Sequence, residues 1–395
     1  MSWRSFAQYS ALAWGSDDTS ATTEVAAVSK RWLSIRDTYA VQVAAGIDEG
    51  AAHRARAPEQ AAILLERRDW NDRHAHRGIG HARQIEAGAG RGNTGLPSRA
   101  GGAMRGVMAL PVSPFVLLDD ARPGGTAARL YVDPVEIVRA DSPEEVRPAL
   151  EALRAARGRG FDAAGYLRYE AAAALEPRLG HLAGPGPLLW FGLFRGHREV
   201  DPRAVLPDPA GAWAATPQPV IERNVYADRF ARVAELIEAG DIYQANLTFR
   251  AEVATIGSPA AVYALLRSRA AAGYGALIAT GDEWLLSFSP ELFFALDAGT
   301  LSARPMKGTA VRDSDPAQDA ANAEALRADP KQRAENLMIV DLLRNDLSRL
   351  ARTGSVAVPA LFEVERYPTL LQLTSTVTAE LEEGADAIDL LNNIF

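Results

Sequence analysis

The chain has 395 residues, 48% of them apolar and 23% charged, and no cysteine; this is the composition of a globular protein, and it excludes disulfides and thiolate metal sites. No uninterrupted apolar run approaches the ~18 residues of a membrane span, and Met1–Trp14 lacks the charged and apolar regions of a secretory signal. The net charge of −8 is uneven, with 14 Lys+Arg against 11 Asp+Glu in residues 1–107 and 28 against 39 in the remainder, an acidic body that argues against nucleic acid as a partner.

Residues 1–107 carry four of the six histidines, His53, His74, His76 and His81, and Arg-, Ala- and Gly-rich stretches such as Glu86–Arg105. His74, His76 and His81 have no carboxylate or thiolate set at ligand spacing, so no metal is expected there. This stretch is expected to be a disordered extension or the product of a start codon placed too far upstream. Met108 then marks the natural beginning.

An orderly α+β pattern follows. Phe115–Asp119 reads as a strand, Arg122-Pro-Gly-Gly125 as a turn, and Ala128–Arg139 as a strand broken at Asp133-Pro134. Ser142-Pro-Glu-Glu145 is a capping box opening a helix whose apolar face is Val146, Leu150 and Leu153. Gly165–Glu170 and Leu188–Arg195 read as strands, and the proline-rich Asp201–Pro219 as a linker. Tyr226, Phe230, Val233 and Ile237 have the spacing of one helical face, ended by Gly240.

Next come a strand-like Tyr243–Val253, a helix from Pro259 to Ala271 and three strands within Ala276–Arg312. Helices are predicted over Pro316–Ala328 and Pro330–Arg349, the second with an Asp329 N-cap and a proline at its first position. Strands at Ser355–Val358 and Leu371–Leu381 and a last helix near Ala385 complete the pattern.

Two places concentrate chemistry. Asp297-Ala-Gly-Thr300 is a tight-turn signature, and a hairpin centred near Gly299 sets Glu291 opposite Lys307 with β-carbons about 5 Å apart. The bland account of such a pair is a surface salt bridge worth under ~1 kcal/mol. Against it, Ser289-Pro290 and Arg304-Pro-Met306 interrupt the strands beside both charges, and Gly308 allows close approach of a ligand. The second place is Glu335, whose neighbours one and two helical turns on are Met338, Ile339 and Leu342. A carboxylate on an apolar face needs an arginine or a cation, and Mg²⁺ commonly uses one or two carboxylates plus ligand oxygens.

At these residues the sequence resembles a known family. Gly240-Asp-Ile-Tyr-Gln-Ala-Asn-Leu-Thr248, Ser289-Pro-Glu291, Arg304-Pro-Met-Lys-Gly-Thr309 and Glu335-Asn-Leu-Met-Ile-Val-Asp-Leu-Leu-Arg-Asn-Asp346 resemble, in order and spacing, motifs of the chorismate-binding family. Tyr367-Pro-Thr, Thr376 and Leu117-Leu-Asp119 match as well. Within the family the chain is similar to the aminodeoxychorismate synthase component I branch, which has lysine where anthranilate synthases usually carry alanine.

The resemblance implies an α+β fold of the anthranilate synthase component I type: a two-layered β-sandwich core with helices outside, incomplete at the C-terminus. It implies an N-terminal subdomain over 108–219 and a chorismate-binding domain, truncated, over 220–395. It also implies that Lys307 attacks C2 of chorismate, with Glu291 as general acid/base, and that Glu335 binds Mg²⁺ against a chorismate carboxylate. Gly308, Thr309 and Thr376 would contact substrate, and Asp341, Asn345 and Asp346 would play supporting or structural parts. The partners implied are chorismate and a glutamine amidotransferase supplying ammonia, in cytoplasmic para-aminobenzoate and folate biosynthesis, with neither nucleic acid nor membrane.

Three departures from the pattern bear on this. Met306 replaces the usual isoleucine, a volume-conserving change. Gln372 stands where the pyruvate-releasing members have histidine, which favours retention of the enolpyruvyl group. Ala271-Ala-Gly273 lacks the Asn-Pro motif associated with a tryptophan pocket. After Phe395 the family continues into a Gly-Ser-x-Thr-Gly-Ala-Pro-Lys segment, an arginine and a second glutamate, so an alternative expectation is a catalytically incompetent fragment. Anthranilate synthase component I is a further alternative, disfavoured by Lys307.

Overall fold

The computed structural model describes residues 110–112, 114–182, 184, 186–242 and 244–394, together with the backbone of Leu33–Ile35 and Ala45–Ile47. The remainder of the expected extension over 1–107, including its histidines, lies outside the described residues.

Two antiparallel sheets stack to form the first core. One has the strand order Leu33–Ile35, Asp162–Leu167, Leu189–Phe194, Glu136–Ala140. The other runs Ala45–Ile47, Trp284–Ser289, Tyr274–Ala279, Phe115–Asp119, Ala128–Val132, Arg198–Val200. Ala164, Tyr166, Trp190 and Phe194 of the first meet Val116, Tyr131, Ala276, Ile278 and Leu285 of the second. The layer is rich in aromatics, with Tyr131 and Phe194 rings 5.4 Å apart.

The two central strands of the first sheet, Asp162–Leu167 and Leu189–Phe194, are buried on both faces. Their continuous apolar runs are the sequence counterpart of that two-sided burial. The outer face of the second sheet is covered by helix Pro259–Ala270 through Ala260, Val262 and Tyr263. Phe115–Asp119 pairs with Tyr274–Ala279, so the expected boundary at 219/220 runs through a shared sheet.

A third sheet holds Leu292–Asp297, Thr300–Arg304, Met306–Val311, Ala357–Arg366 and Leu370–Glu380. Helices Pro143–Gly158, Pro330–Leu347 and Ala387–Ile394 lie between it and the first sheet in one continuous core that includes Leu150, Leu153, Phe294, Val340, Leu343, Val377, Leu390 and Leu391. Helix Pro316–Ala328 packs Ala323 and Leu326 on Leu371 and Leu373. The α+β sandwich with outer helices is the fold the sequence led us to expect.

Local signals act as anticipated at most boundaries. The Glu145 carboxylate accepts from the Ser142 backbone N–H at 3.1 Å, the Asp329 carboxylate accepts from Gln332 N–H at 2.9 Å, and Asp133, at φ 54°, turns the chain between Ala128–Val132 and Glu136–Ala140.

Other elements differ. Ala276–Arg312 contributes to five strands rather than three, because Pro290 and Pro305 cut longer extended runs. Of the strand anticipated at Tyr243–Val253, the described residues 244–253 are irregular apart from Ala251–Glu252, paired with Gln218–Pro219. Ala357–Arg366 is much longer than the strand anticipated at Ser355–Val358. Helix Arg223–Glu238 forms, but none of its residues is buried, and Phe230 and Ile237 of its apolar face remain exposed.

Candidate active site

Lys307 lies on Met306–Val311, a strand paired with Leu370–Glu380. The register advances three residues from Met306 to Thr309 while the partner advances two, from Thr374 to Gln372. Lys307 and Gly308 therefore occupy a bulge, a device that re-aims side chains and is common beside active sites. Gly308 has φ +93°, and a β-carbon there would sit 2.9 Å from Gln332 Oε1 and 3.3 Å from Leu373 Cβ. The close approach that Gly308 permits is thus to helix Pro330–Leu347 and the neighbouring strand. The Lys307 amine donates to Asn246 Oδ1 at 3.2 Å, which brings the Gly240–Thr248 segment to the bulge.

Glu291 is half-buried, one residue before Leu292–Asp297. Its backbone N–H donates to Ser289 Oγ at 3.1 Å, a local turn that fixes the Ser-Pro-Glu bend. The hairpin turns at Ala298 and Gly299, both at positive φ. Its ladder ends at Leu292 opposite Arg304 after a one-residue shift. Extended one step, that register sets Glu291 against Pro305, so the cross-strand register expected for Glu291 and Lys307 is not the observed one. Two one-residue offsets are the cause: the turn is centred between Ala298 and Gly299, so that Asp297 pairs with Thr300, and the shift at Phe293/Phe294 then moves every later partner by one more.

Thr309 Oγ1 donates to Gln372 Oε1 at 3.0 Å. Thr309 is paired with Gln372 in the ladder, and Thr376 lies further along the same strand on the Gln372 side, opposite Ala360. Both threonines are half-buried. The structure thus brings Thr309 and Thr376 to one sheet face. The buried face of that strand, Leu371, Leu373, Val377 and Ala379, is the one the helices cover.

Glu335 is on helix Pro330–Leu347 and is half-buried, 3.7 Å from the Lys331 amine one turn away. The fully buried face of that helix is Asn336, Ile339, Val340, Leu343, Asp346 and Leu347, displaced by one residue from the apolar stripe anticipated around Glu335. Asn336 is fixed in the core: its amide donates to the Leu373 carbonyl at 3.4 Å and its Oδ1 accepts from Ser375 Oγ at 2.5 Å.

Among the described residues no three His, Asp or Glu side chains gather as a metal cage. Glu335, a half-buried carboxylate whose nearby cation is a flexible lysine, fits as a single protein ligand to Mg²⁺, an ion that completes its shell with ligand oxygens and water. Asp346 is buried with Arg349 3.8 Å away, whereas Asp341 pairs with Arg344 on the surface. Asn345 is exposed.

A group that sequence reading missed lies behind the Ser289–Glu291 and Arg304–Lys307 segments. Arg304 donates to one oxygen of Glu365 at 2.5 Å, and the Tyr367 hydroxyl meets the other at 2.7 Å. Burial, together with the Glu365 carboxylate to which it donates, pushes the Tyr367 phenol above its ordinary range, so it remains a protonated donor at neutral pH. Arg304 and Tyr367 lie within the family-like motifs; the missing signal was their convergence on Glu365, two residues before Tyr367 on a strand longer than anticipated. At Leu117-Leu-Asp119, the buried Asp119 carboxylate accepts from Arg267 Nη2 at 2.9 Å and Tyr263 Oη at 3.2 Å, a structural role in the second sheet.

The fold is that of the anthranilate synthase component I class: the solved structure of that protein from Streptococcus pneumoniae matches with a TM-score of 0.55 and 20% identity over 75% of each chain. The profile of chorismate binding enzymes matches residues 113–395, and the chain belongs to that family. It is 42% identical over 184 residues to aminodeoxychorismate synthase component 1 of Klebsiella aerogenes, which is 47% of this chain and 40% of that protein. It is 39% identical over 171 residues to anthranilate synthase component 1 of Streptomyces coelicolor, 43% of this chain and 34% of that one. The chain spans about two fifths of the length of the Klebsiella relative. No helix of the described residues is long and apolar enough to cross a membrane.

Proposed function

We propose that this chain is the chorismate-aminating component of an aminodeoxychorismate synthase, with Lys307 as nucleophile and Glu291 as general acid/base. The observation that carries the reading is a lysine in the Arg304–Thr309 bulge, its amine held by Asn246. The likeness to aminodeoxychorismate synthase component 1 supports the same reaction.

In this chemistry the Lys307 nitrogen bonds to C2 of chorismate while the 4-hydroxyl leaves as water, taking a proton from Glu291, and the two conjugated ring double bonds shift from C1=C2 and C5=C6 to C1=C6 and C4=C5. The Glu291 carboxylate then takes the surplus proton from the substituted amine. Ammonia bonds to C4, both double bonds shift back, and the lysine leaves C2 as its amine with the proton returned by Glu291. The product is 4-amino-4-deoxychorismate, a precursor of para-aminobenzoate and folate, and the setting is the cytoplasm.

An unperturbed lysine has a pKa of ~10.4, so only about 0.1% is neutral near pH 7.4. Activation by a nearby base is therefore part of the proposal, and the Lys307–Glu291 proton is expected to titrate as a coupled pair. Thr309 and Thr376 would offer hydroxyls to substrate from their shared face. Gly308 would act by shaping the bulge. Mg²⁺, held in part by Glu335, would supply positive charge against a chorismate carboxylate. A glutamine amidotransferase would deliver the ammonia.

The test is product formation from chorismate, ammonium and Mg²⁺, followed by chromatography. The unmodified chain is expected to form 4-amino-4-deoxychorismate, and Lys307→Ala to lose essentially all of it while melting at the same temperature. Undiminished product from K307A, or none from the unmodified chain, overturns the reading.

A further inference from the structure

One carboxylate ties together the two segments that carry the proposed nucleophile and acid/base. Glu365 lies near the end of Ala357–Arg366, opposite Gln372, on the far side of Leu370–Glu380 from Met306–Val311. One of its oxygens accepts from Arg304, three residues before Lys307. The other accepts from the Tyr367 hydroxyl at 2.7 Å, and that hydroxyl is also 3.4 Å from the carbonyl oxygen of Pro290, the residue before Glu291. Tyr367 is 8% exposed, and the turn that carries it is closed by Tyr367 N–H donating to Leu370 O at 2.9 Å.

The geometry points to Glu365, with Arg304 and Tyr367, as a positioning group that sets the separation of Glu291 from Lys307; this rests on the function proposed above. The need for such a group follows from the strands. Both segments leave regular pairing where they approach the site: the ladder of Leu292–Asp297 stops at Arg304, and Pro305 interrupts the strand before Lys307. Backbone hydrogen bonds between the two segments therefore do not fix their spacing past Leu292. The Arg304–Glu365–Tyr367 network spans that gap with side chains instead.

An ion pair of this kind is partly shielded, with Arg304 and Glu365 side chains 29% and 22% exposed. The Tyr367 proton is committed to the network, because burial and the adjoining carboxylate oppose its loss. The link is therefore expected to hold throughout the range in which the Glu291–Lys307 pair exchanges its proton.

The experiment uses the whole chain and two variants. Tyr367→Phe removes one oxygen and keeps the ring, and Glu365→Gln keeps the size and loses the charge. Misplacement of reacting groups by about 1 Å costs on the order of 100-fold, so each variant is expected to lower kcat by roughly 10–100-fold with KM for chorismate little changed. A second readout is independent of turnover.

The lysines of the chain are Lys30, Lys307 and Lys331, so amine acetylation followed by peptide mass spectrometry resolves Lys307 individually. In Y367F the pH profile of Lys307 labelling is expected to move by on the order of half a unit or more as its distance from Glu291 changes. Lys331, beside Glu335, should stay where it is. An unchanged kcat and an unchanged Lys307 profile in folded Y367F overturn the inference. An unmodified chain without turnover overturns the proposed function, while a displaced Lys307 profile in Y367F would still support the positioning role.

Discussion

Gly308→Ala tests the construction of the bulge directly. Two separate penalties apply. The first is backbone: at φ +93° an alanine is held in a conformation costing ~1–3 kcal/mol. The second is contact. The added methyl would lie 2.9 Å from Gln332 Oε1, which can swing away, but also 3.1 Å from Gln332 Cβ and 3.3 Å from Leu373 Cβ, which move only with their backbones. Overpacking of that kind costs ~1–3 kcal/mol.

Gly299→Ala isolates the first penalty, because Gly299 has φ +87° and a β-carbon there has nothing within 4 Å. Urea unfolding of the two variants is expected to show Gly308→Ala destabilised by roughly 2–6 kcal/mol, and by ~1 kcal/mol or more beyond Gly299→Ala. In a thermal melt this is a fall of roughly 5–20 °C for a unit of this size. If the two variants unfold together, helix Pro330–Leu347 does not press on the bulge, and the account of Gly308 fails.

Two further outcomes follow from the third sheet. Ser375→Ala removes the hydroxyl that donates to Asn336 Oδ1 and accepts from Phe362 N–H at 3.1 Å; leaving these groups unsatisfied should cost ~1–3 kcal/mol in urea unfolding, and a neutral result would refute the buried network. Asp319 is held below the usual carboxylate range chiefly by its hydrogen bond from Arg312 at 2.7 Å, assisted by the Asp313 N–H. A depressed folded-state pKa stabilises fully above the ordinary Asp value of about 3.9 and is lost as pH falls through the lower value. Asp319→Asn should therefore be less stable than the unmodified chain at pH 7, with the gap closing as pH falls below about 4; a gap independent of pH would remove Arg312 as the cause.

Where sequence reading succeeded, one local signal decided the element. Ser142 with Glu145, Asp329 with Pro330, and Asp133 before Pro134 each set a boundary through a nearby backbone preference. It failed where partners were distant or a register slipped. The face of Arg223–Glu238 was legible as periodicity, yet burial is a property of what packs on it, and among the described residues Tyr226 meets Phe249 while no residue of the helix is fully buried. The hairpin turn at Ala298-Gly299 was legible, but the one-residue shift beyond it was not, because Leu292-Phe-Phe294 has no glycine or proline to mark a bulge. Together with a turn centred between Ala298 and Gly299 rather than on Gly299, that shift moves the register partner of Glu291 from Lys307 to Pro305. Asn246 lies inside a family-like motif, yet nothing local to that motif indicates its contact with a residue 61 positions away.

The identity of that contact bears on the chemistry proposed for Lys307. A carboxylate at position 246 would favour the charged ammonium and raise the lysine pKa, because an opposite charge at close range stabilises the ionised form. The amide oxygen of Asn246 carries no net charge and accepts from an ammonium or a neutral amine alike. It can therefore hold the nitrogen in place at 3.2 Å without adding a full counter-charge that opposes deprotonation. On the proposed mechanism this divides the labour. Asn246 orients the nucleophile, Glu291 exchanges its proton, and the spacing between them is set by side chains, since the backbone ladder ends at Leu292 and Arg304. A site built this way depends less on the charge of any one residue than on distances fixed from behind by Arg304, Glu365 and Tyr367, which is where substitutions should separate rate from affinity.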